Sequence, residues 1–446
     1  MPDSRDRVFL FLQGPIAPFF RRLGRSLMRE GFRVLKVHFN GGDVYSWPRR
    51  CGRTVWFQGG RISWPAWLAE LIERERVTDV LLTGEWRPLH VEAVDIAKGL
   101  GLRVFIFEEG YLRPDYITME EGGINGCSLL PKDPGQIKAL AWLMDEPSAP
   151  TRLQPHTKAL RINNIAYYAA ALFLWPFFAR YKTHRPYGAW REALMGWGPR
   201  LLIRRRFEKR DQATLDEALQ SGRPFFLLPL QLDSDAQVRR YSPFSGMLEG
   251  LSMIMNSFAR HSDPEAGLLV RNHPLDPGLI NYRAYVLNYA RALGIEGRVR
   301  FIDSVGSYHD IIAHSRGLVL LNSTIGLTAL LMGKPVYYLG KSICSVPGLG
   351  CAPGWMSLQD FWTAPAPPDP ELAAAFVKIL RQTVLVNGNF YTAEGARAAL
   401  PTIIERLIGP PAKPVEERLS PEPADPRRLP DGAGPLLGTE VLPDGF

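Results

Sequence analysis

Cysteine is scarce in this chain: four residues in 446, Cys51, Cys127, Cys344 and Cys351, with no C-x-x-C pair among them. That spacing excludes a zinc ribbon or finger and supplies no disulfide framework, so reduced thiols in a cytosolic setting are expected. Also missing are an RNP motif and an arginine-rich arm, which sets nucleic acid aside as a partner. The opening residues Met1 to Arg7 run straight into a strand-like stretch with no signal-peptide apolar region, so the protein is expected to stay in the cytoplasm. No apolar run reaches the roughly 20 residues of a spanning helix. The longest, Ile165 to Ala179, is about 15 residues, is rich in Tyr, Phe and Trp, and contains Pro176.

What is present is an ordinary globular composition, 46% apolar and 22% charged, with a formal charge of +8. The length calls for two domains. The surplus of positive charge points to anionic membrane or anionic small substrates. Apolar runs alternate with helical periodicity in a β-loop-α rhythm. Val8 to Leu12, Phe32 to Phe39, Asp79 to Thr83 and Val104 to Phe107 read as strands of a first Rossmann-like domain over residues 1–145. Pro224 to Leu230, Leu268 to Val270, Val299 to Ile302, Gly317 to Leu321 and Val336 to Leu339 read as strands of a second, over 216–408. Between them, 146–215 is expected to be a helical insert. Its aromatics (with Trp190 and Trp197) stand beside Arg161, Arg180, Lys182, His184, Arg185 and a cluster from Arg200 to Arg210. Aromatic and cationic side chains side by side suit the headgroup layer of an anionic membrane. Residues 409–446, dense in Pro, Glu, Arg and Gly, are expected to be a disordered tail.

Three motifs carry the chemistry, each at a strand end, where backbone N–H groups of an α/β sheet converge on ligands. Glu108-Glu109-Gly110 offers adjacent carboxylates for acid/base work, since close carboxylates push one pKa up. His273-Pro274 offers a hydrogen-bond donor to a leaving phosphate, with Arg271 just before it. Asn322-Ser323-Thr324, with Gly326 for close approach and Gly333-Lys334-Pro335 beyond, suits a phosphate; Ser323 or Thr324 as a simple helix cap is the alternative. Gln231-Leu232-Asp233-Ser234-Asp235 has the look of a metal-binding DxD, but its position before the second domain favours a carboxylate nucleophile, and no metal or cofactor is expected.

These segments, together with Phe11-Leu12-Gln13-Gly14-Pro15-Ile16, Phe39-Asn40-Gly41-Gly42-Asp43 and Tyr111-Leu112-Arg113-Pro114-Asp115, resemble the KpsS/LipB family of capsular polysaccharide proteins over residues 8–350. The resemblance implies an α/β, GT-B-like fold of two Rossmann-like domains facing a cleft. It implies a retaining β-Kdo transferase that moves Kdo from CMP-Kdo to a phosphatidylglycerol-type lipid, on the inner face of the cytoplasmic membrane. This would start the linker of capsular polysaccharide, with a KpsC-type Kdo transferase and export machinery as partners. Carried over by motif, Asp235 is the nucleophile with Asp233 as the alternative, and Glu109 or Glu108 the acid/base. His273, Asn322, Ser323, Thr324, Gly326, Arg271 and Gln231 hold the donor. Gln13, Gly14, Asn40, Asp43 and Arg113 lie on the acceptor side, and Arg113, Arg239 or Arg271 meets the Kdo carboxylate. Two alternatives stay open: a GT-B enzyme using another nucleotide sugar, such as a sialyltransferase or an epimerase, and a non-catalytic assembly or export factor.

Overall fold

Runs such as Val8–Phe11 and Phe225–Pro229 are apolar at consecutive positions, and every residue in them is buried. That is the pattern of parallel strands covered on both faces. In the computed structural model, which describes residues 6–48, 51–154, 157–183, 196, 198–233 and 235–411, such strands build two sheets. The first holds β1 (Val8–Phe11), β2 (Arg33–His38), β3 (Arg53–Trp56), β4 (Asp79–Thr83), β5 (Arg103–Glu109), β6 (Tyr116–Glu121) and β12 (Leu385–Asn387), in the order β12-β6-β5-β4-β1-β2-β3. Strands β1 to β5 run parallel, and β6 lies antiparallel to both β5 and β12. The second holds β7 (Phe225–Pro229), β8 (Gly267–Arg271), β9 (Val299–Ile302), β10 (Gly317–Leu320) and β11 (Val336–Tyr338), all parallel in the order β11-β10-β7-β8-β9. Two Rossmann-like sheets, with strand ends turned toward each other, make the GT-B-like α/β fold.

The chain then departs from the expected division. Residues 385–408 do not stay with the second sheet. β12 pairs with β6, and Arg22 donates to the Thr392 carbonyl at 2.8 Å. Phe390 packs edge-on to Phe19 with ring centres 5.1 Å apart, and the following helix Ala393–Ile408 buries Ala396, Ala399, Ile403 and Leu407. The return covers an exposed sheet edge and ties the two units together. A strand of three residues has no period to read, which is why it escapes a sequence argument.

Within the expected insert, 146–154 form no helix, and the chain then runs through the helix Thr157–Phe173, a tight turn at Trp175–Phe178, and the helix Gly198–Gln220. His184, Arg185, Trp190, Trp197 and the tail from 412 lie outside the described residues. No helix among the described residues is long and apolar enough to cross a membrane. Part of the basic cluster is internal: Arg200 is buried and pairs with Asp303 at 2.7 Å and Asp276 at 3.6 Å. The helix Thr157–Phe173 lies against the short helix Gly41–Ser46, and two glycines make that approach possible. A Cβ on Gly41 would fall 2.1 Å from the Ala170 carbonyl oxygen, and one on Gly42 2.5 Å from the Tyr167 ring. Gly42→Val is therefore expected to push the insert off, at a cost of about 1–3 kcal/mol. Hydrogen–deuterium exchange over 157–173 checks it; unchanged protection would refute the docking role of Gly42. Facing away from this contact, Phe173, Trp175 and Phe177 are 81%, 61% and 54% exposed, a cluster of large apolar side chains beside Arg180 and Lys182.

Candidate active site

β5 carries Glu108 and Glu109 to its C-terminal end. Successive side chains of a strand point to opposite faces, so the two carboxyls part company. Glu109 lies on the opposite face of β5 from Glu108 and accepts a hydrogen bond from the Tyr391 hydroxyl. Glu108 accepts from Asn125 Nδ2 at 2.9 Å and faces the second unit. Burial pushes the Glu108 pKa up to about 7; the Asn125 bond opposes that rise, and the negative charges of Asp235 and Glu85 add to it. The expected coupling between sequence neighbours is thus replaced by coupling across the cleft.

Two further acids share this wall. Glu85, just past β4, accepts hydrogen bonds from the Ile124 amide at 3.3 Å and from the Tyr241 hydroxyl of the second unit. The Tyr241 hydroxyl also lies 3.0 Å from the Ile124 carbonyl oxygen. Glu120 is held by the hydroxyls of Tyr111 and Ser128, and burial raises its pKa to about 7. A carboxyl whose folded pKa lies above its ordinary value stabilises the fold at low pH. That contribution is lost as pH rises from about 4.5 through 7. Glu120→Gln is expected to flatten the fall in Tm between pH 5 and pH 8, which scanning calorimetry reads directly; a slope equal to wild type would place the proton elsewhere.

The second unit supplies the opposite wall. Asp233 accepts from the Met247 amide at 2.9 Å, capping the helix Met247–His261, and pairs with Arg239 at 2.9 Å. Asp233 and Arg239 are thereby engaged with each other, leaving Asp235 as the carboxylate whose charge reaches Glu108. Ser234 lies outside the described residues. No group of three His, Cys, Asp or Glu is gathered as a metal site among the described residues. Gln231 and Asn322 form a reciprocal pair: Gln231 Nε2 donates to Asn322 Oδ1 at 3.0 Å, and the Asn322 amide to Gln231 Oε1 at 3.1 Å. They lock the loops after β7 and β10 together. Thr324 opens the helix Ile325–Leu331 without a side-chain cap bond and lines the cleft with Asn322, Lys341 and Ser342. Among the described residues, the Ser323 hydroxyl makes a long 3.5 Å contact to the Ile325 amide. Gly326, expected beside a phosphate, is buried, and a Cβ there would meet the Tyr338 hydroxyl at 2.1 Å, so its missing side chain makes room for that ring.

His273 follows β8, and its Nδ1 accepts from the Leu275 amide at 3.0 Å. The neutral ring therefore carries its proton on Nε2. Burial, helped by the charges of Arg113, Arg200 and Arg271, pulls its pKa down to about 4, so the ring is neutral near pH 7. Arg113, expected on the acceptor side, thus lies close to His273. Arg271 is buried, stacks 3.6 Å over the Tyr308 ring and donates to the Gly306 carbonyl at 2.9 Å.

The remaining acceptor-side residues meet the insert. Tyr167 Oη receives hydrogen bonds from Gln13 Nε2 and Asn40 Nδ2, each at 3.0 Å, and donates to Asp43 at 3.3 Å. One phenol so satisfied plugs the ends of β1 and β2. Gly14 makes room for the Phe20 ring, 2.7 Å from where a Cβ would sit. Asn40, Asp43 and Gly14 are therefore anchoring and packing residues.

Sequence reasoning missed Glu85, Asn125, Tyr241 and Lys341. Two left a signal: Glu85 stands in the strand-end loop Gly84-Glu85-Trp86-Arg87-Pro88, and Asn125 adopts φ 54° in the turn Gly122-Gly123-Ile124-Asn125-Gly126, a region Asn tolerates better than most residues. Tyr241 and Lys341 meet the first unit only through the tertiary fold.

A model of the capsule polysaccharide biosynthesis protein family matches residues 78–391. The chain is 32% identical over 402 residues to the capsule polysaccharide modification protein LipB of Neisseria meningitidis serogroup A, covering 87% of this chain and 93% of that protein. It is 31% identical over 392 residues to the capsule polysaccharide export protein KpsS of Escherichia coli, covering 86% and 96%. Among solved structures, KpsC of Thermosulfurimonas dismutans, a β-Kdo 2,7 transferase, aligns with 90% of this chain and 100% of its own at 14% identity and a TM-score of 0.41. With the model spanning well over half of the sequence and relatives above 30% identity aligned along most of their length, the chain belongs to the capsule polysaccharide biosynthesis protein family.

Proposed function

We propose that this protein is a retaining β-Kdo transferase that moves Kdo from CMP-Kdo to a phosphatidylglycerol-type lipid, starting the linker of a capsular polysaccharide. The observation that carries the reading is the approach of Glu108 and Asp235 from opposite units to one cleft, close enough for the charge of one to raise the pKa of the other. Retention from a β donor requires two displacements and hence a nucleophile. Asp235 attacks the anomeric carbon and forms a glycosyl ester as the bond to the CMP phosphate oxygen breaks. His273 donates its Nε2 proton as a hydrogen bond to that phosphate, and a neutral donor serves a leaving anion without needing acid pH. The acceptor hydroxyl then attacks the same carbon and displaces Asp235, while Glu108 takes its proton. A pKa near 7 suits a base working in the cytoplasm. Thr324 and Asn322 are the donor-side contacts, and Arg113 beside His273 is the candidate for the sugar carboxylate.

The test is mass spectrometry of the purified protein with CMP-Kdo, generated in situ, and a short-chain phosphatidylglycerol. An acceptor mass increase of one Kdo is expected. No increase with donor and protein intact would refute the reaction as written.

A further inference from the structure

The loop Glu85-Trp86-Arg87-Pro88 carries a cation that the reaction above does not use. Arg87 donates one Nη1 bond to Gln13 Oε1 at 3.0 Å and a longer one, 3.5 Å, to the Gly14 carbonyl. Among the described residues, its Nε and Nη2 make no hydrogen bond, and neither Arg87 nor Lys182 forms an ion pair. The two cations line one pocket with Gln13, His90 and Tyr181. Tyr181 is held in place by Gln13 at 3.2 Å, so the pocket joins the insert to the end of β1. Two cations converging on one concave site can hold an anion, with Glu108 as the neighbouring carboxylate, and the planar guanidinium fork matches phosphate oxygens.

Two neighbours narrow the anion. On one side the pocket adjoins the acid: Arg87 Nε and Glu108 Oε1 flank the same glycine, 3.7 and 3.8 Å from where a Cβ on Gly84 would sit. On the other, Tyr181 and Lys182 directly follow the exposed cluster of Phe173, Trp175 and Phe177. That cluster is fixed by Trp56, which stacks on Phe178 at 5.0 Å, and by Gln58, which donates to the Phe177 carbonyl at 3.0 Å. An apolar surface, then two cations, then a base is the order of parts in an amphiphile with an anionic phosphodiester head and a terminal hydroxyl.

We propose that Arg87 and Lys182 form the phosphodiester subsite for an anionic glycerophospholipid, holding its headgroup hydroxyl toward Glu108 while its acyl chains lie against the exposed aromatics. This rests on the lipid-acceptor reading above and adds the residues that recognise the acceptor. It also gives Arg87 a second effect, since its charge opposes the rise in the Glu108 pKa.

The experiment is calorimetric titration of the full chain, without donor, with monomeric dihexanoylphosphatidylglycerol, dihexanoylphosphatidylcholine and inorganic phosphate. The wild type is expected to bind the first and neither of the others comparably. Arg87→Gln and Lys182→Glu are each expected to weaken it about tenfold, as loss of one charged hydrogen bond implies. Lys182 is exposed, so its variant is safe from misfolding, and unchanged Tm is the control. Equal affinity in wild type and both variants would overturn the subsite. Equal binding of phosphatidylcholine would overturn the anion selectivity, and inorganic phosphate binding as tightly as the lipid would overturn the lipid. Because no donor is present, a failed transfer reaction leaves this result readable: charge-dependent lipid binding with no Kdo transfer would refute the reaction and keep the site.

Discussion

Glu108→Gln is expected to lower kcat by about a hundred- to ten-thousandfold, the range for a general base, while Glu109→Gln, on the other face of β5, is expected to leave kcat within about threefold of wild type. The two residues are adjacent in sequence and chemically identical, so only their environment separates them. Glu108 is half-buried, within electrostatic reach of Asp235 and with Asn125 as its hydrogen-bond donor, and Glu109 is held by Tyr391 on the other face of β5. The pH profile adds a second reading. A base with a pKa near 7 must lose its proton to act, so wild-type kcat is expected to rise through pH 7 and level above it. The Gln variant should lose that rise. It should also be the more stable protein at pH 8. The raised pKa of Glu108 means that its stabilising protonated form is present at low pH and lost above about 7, whereas Gln has nothing to lose. A shift from 4.5 to about 7 corresponds to about 3 kcal/mol. An inactive Glu108→Gln that is at least as stable as wild type would separate chemistry from folding. Full activity in that variant, or equal loss in Glu109→Gln, would remove Glu108 from the base role.

Asp235→Asn is expected to cost about a thousandfold or more in kcat, since an amide cannot form the glycosyl ester. Asp233→Asn, two residues away, should behave differently. Asp233 caps a helix and pairs with Arg239, so its loss costs about 1 kcal/mol of stability, mostly through the cap. Incubating wild type with donor alone and digesting it should yield a peptide carrying one Kdo on Asp235. A label on Asp233, or full activity in Asp235→Asn, would exchange or abolish the nucleophile.

The strands β1, β2, β4, β5 and β7 to β11 were all legible in the sequence, because a strand buried on both faces must be apolar along its length and a loop must follow it. For the same reason the motif loops were found at strand ends. The strands that escaped are the two edges, β3 with four residues and β12 with three, and the inner strand β6, whose Glu120 and Glu121 break the apolar run. Edge strands bury less and so carry less pattern. The return of the chain at β12 is invisible for a further reason, since nothing local distinguishes pairing with β6 from pairing with the second sheet.

For the site, the sequence by itself determined which residue types stand at the strand ends: the paired glutamates, the His-Pro, the two aspartates, and the Asn-Ser-Thr turn. It also determined that a short aromatic segment interrupts two similar domains. Only the tertiary structure decided which member of each pair faces the cleft. Glu108 and Glu109 are separated by strand alternation, Asp233 and Asp235 by a helix cap. Only the tertiary structure packed Tyr167 between Gln13, Asn40 and Asp43, anchoring the insert there, and set Arg87 beside Glu108. Hydrogen-bond satisfaction and burial are properties of residues far apart in sequence. A carboxylate near pH 7 is made by its neighbours, and those neighbours come together only when the chain folds.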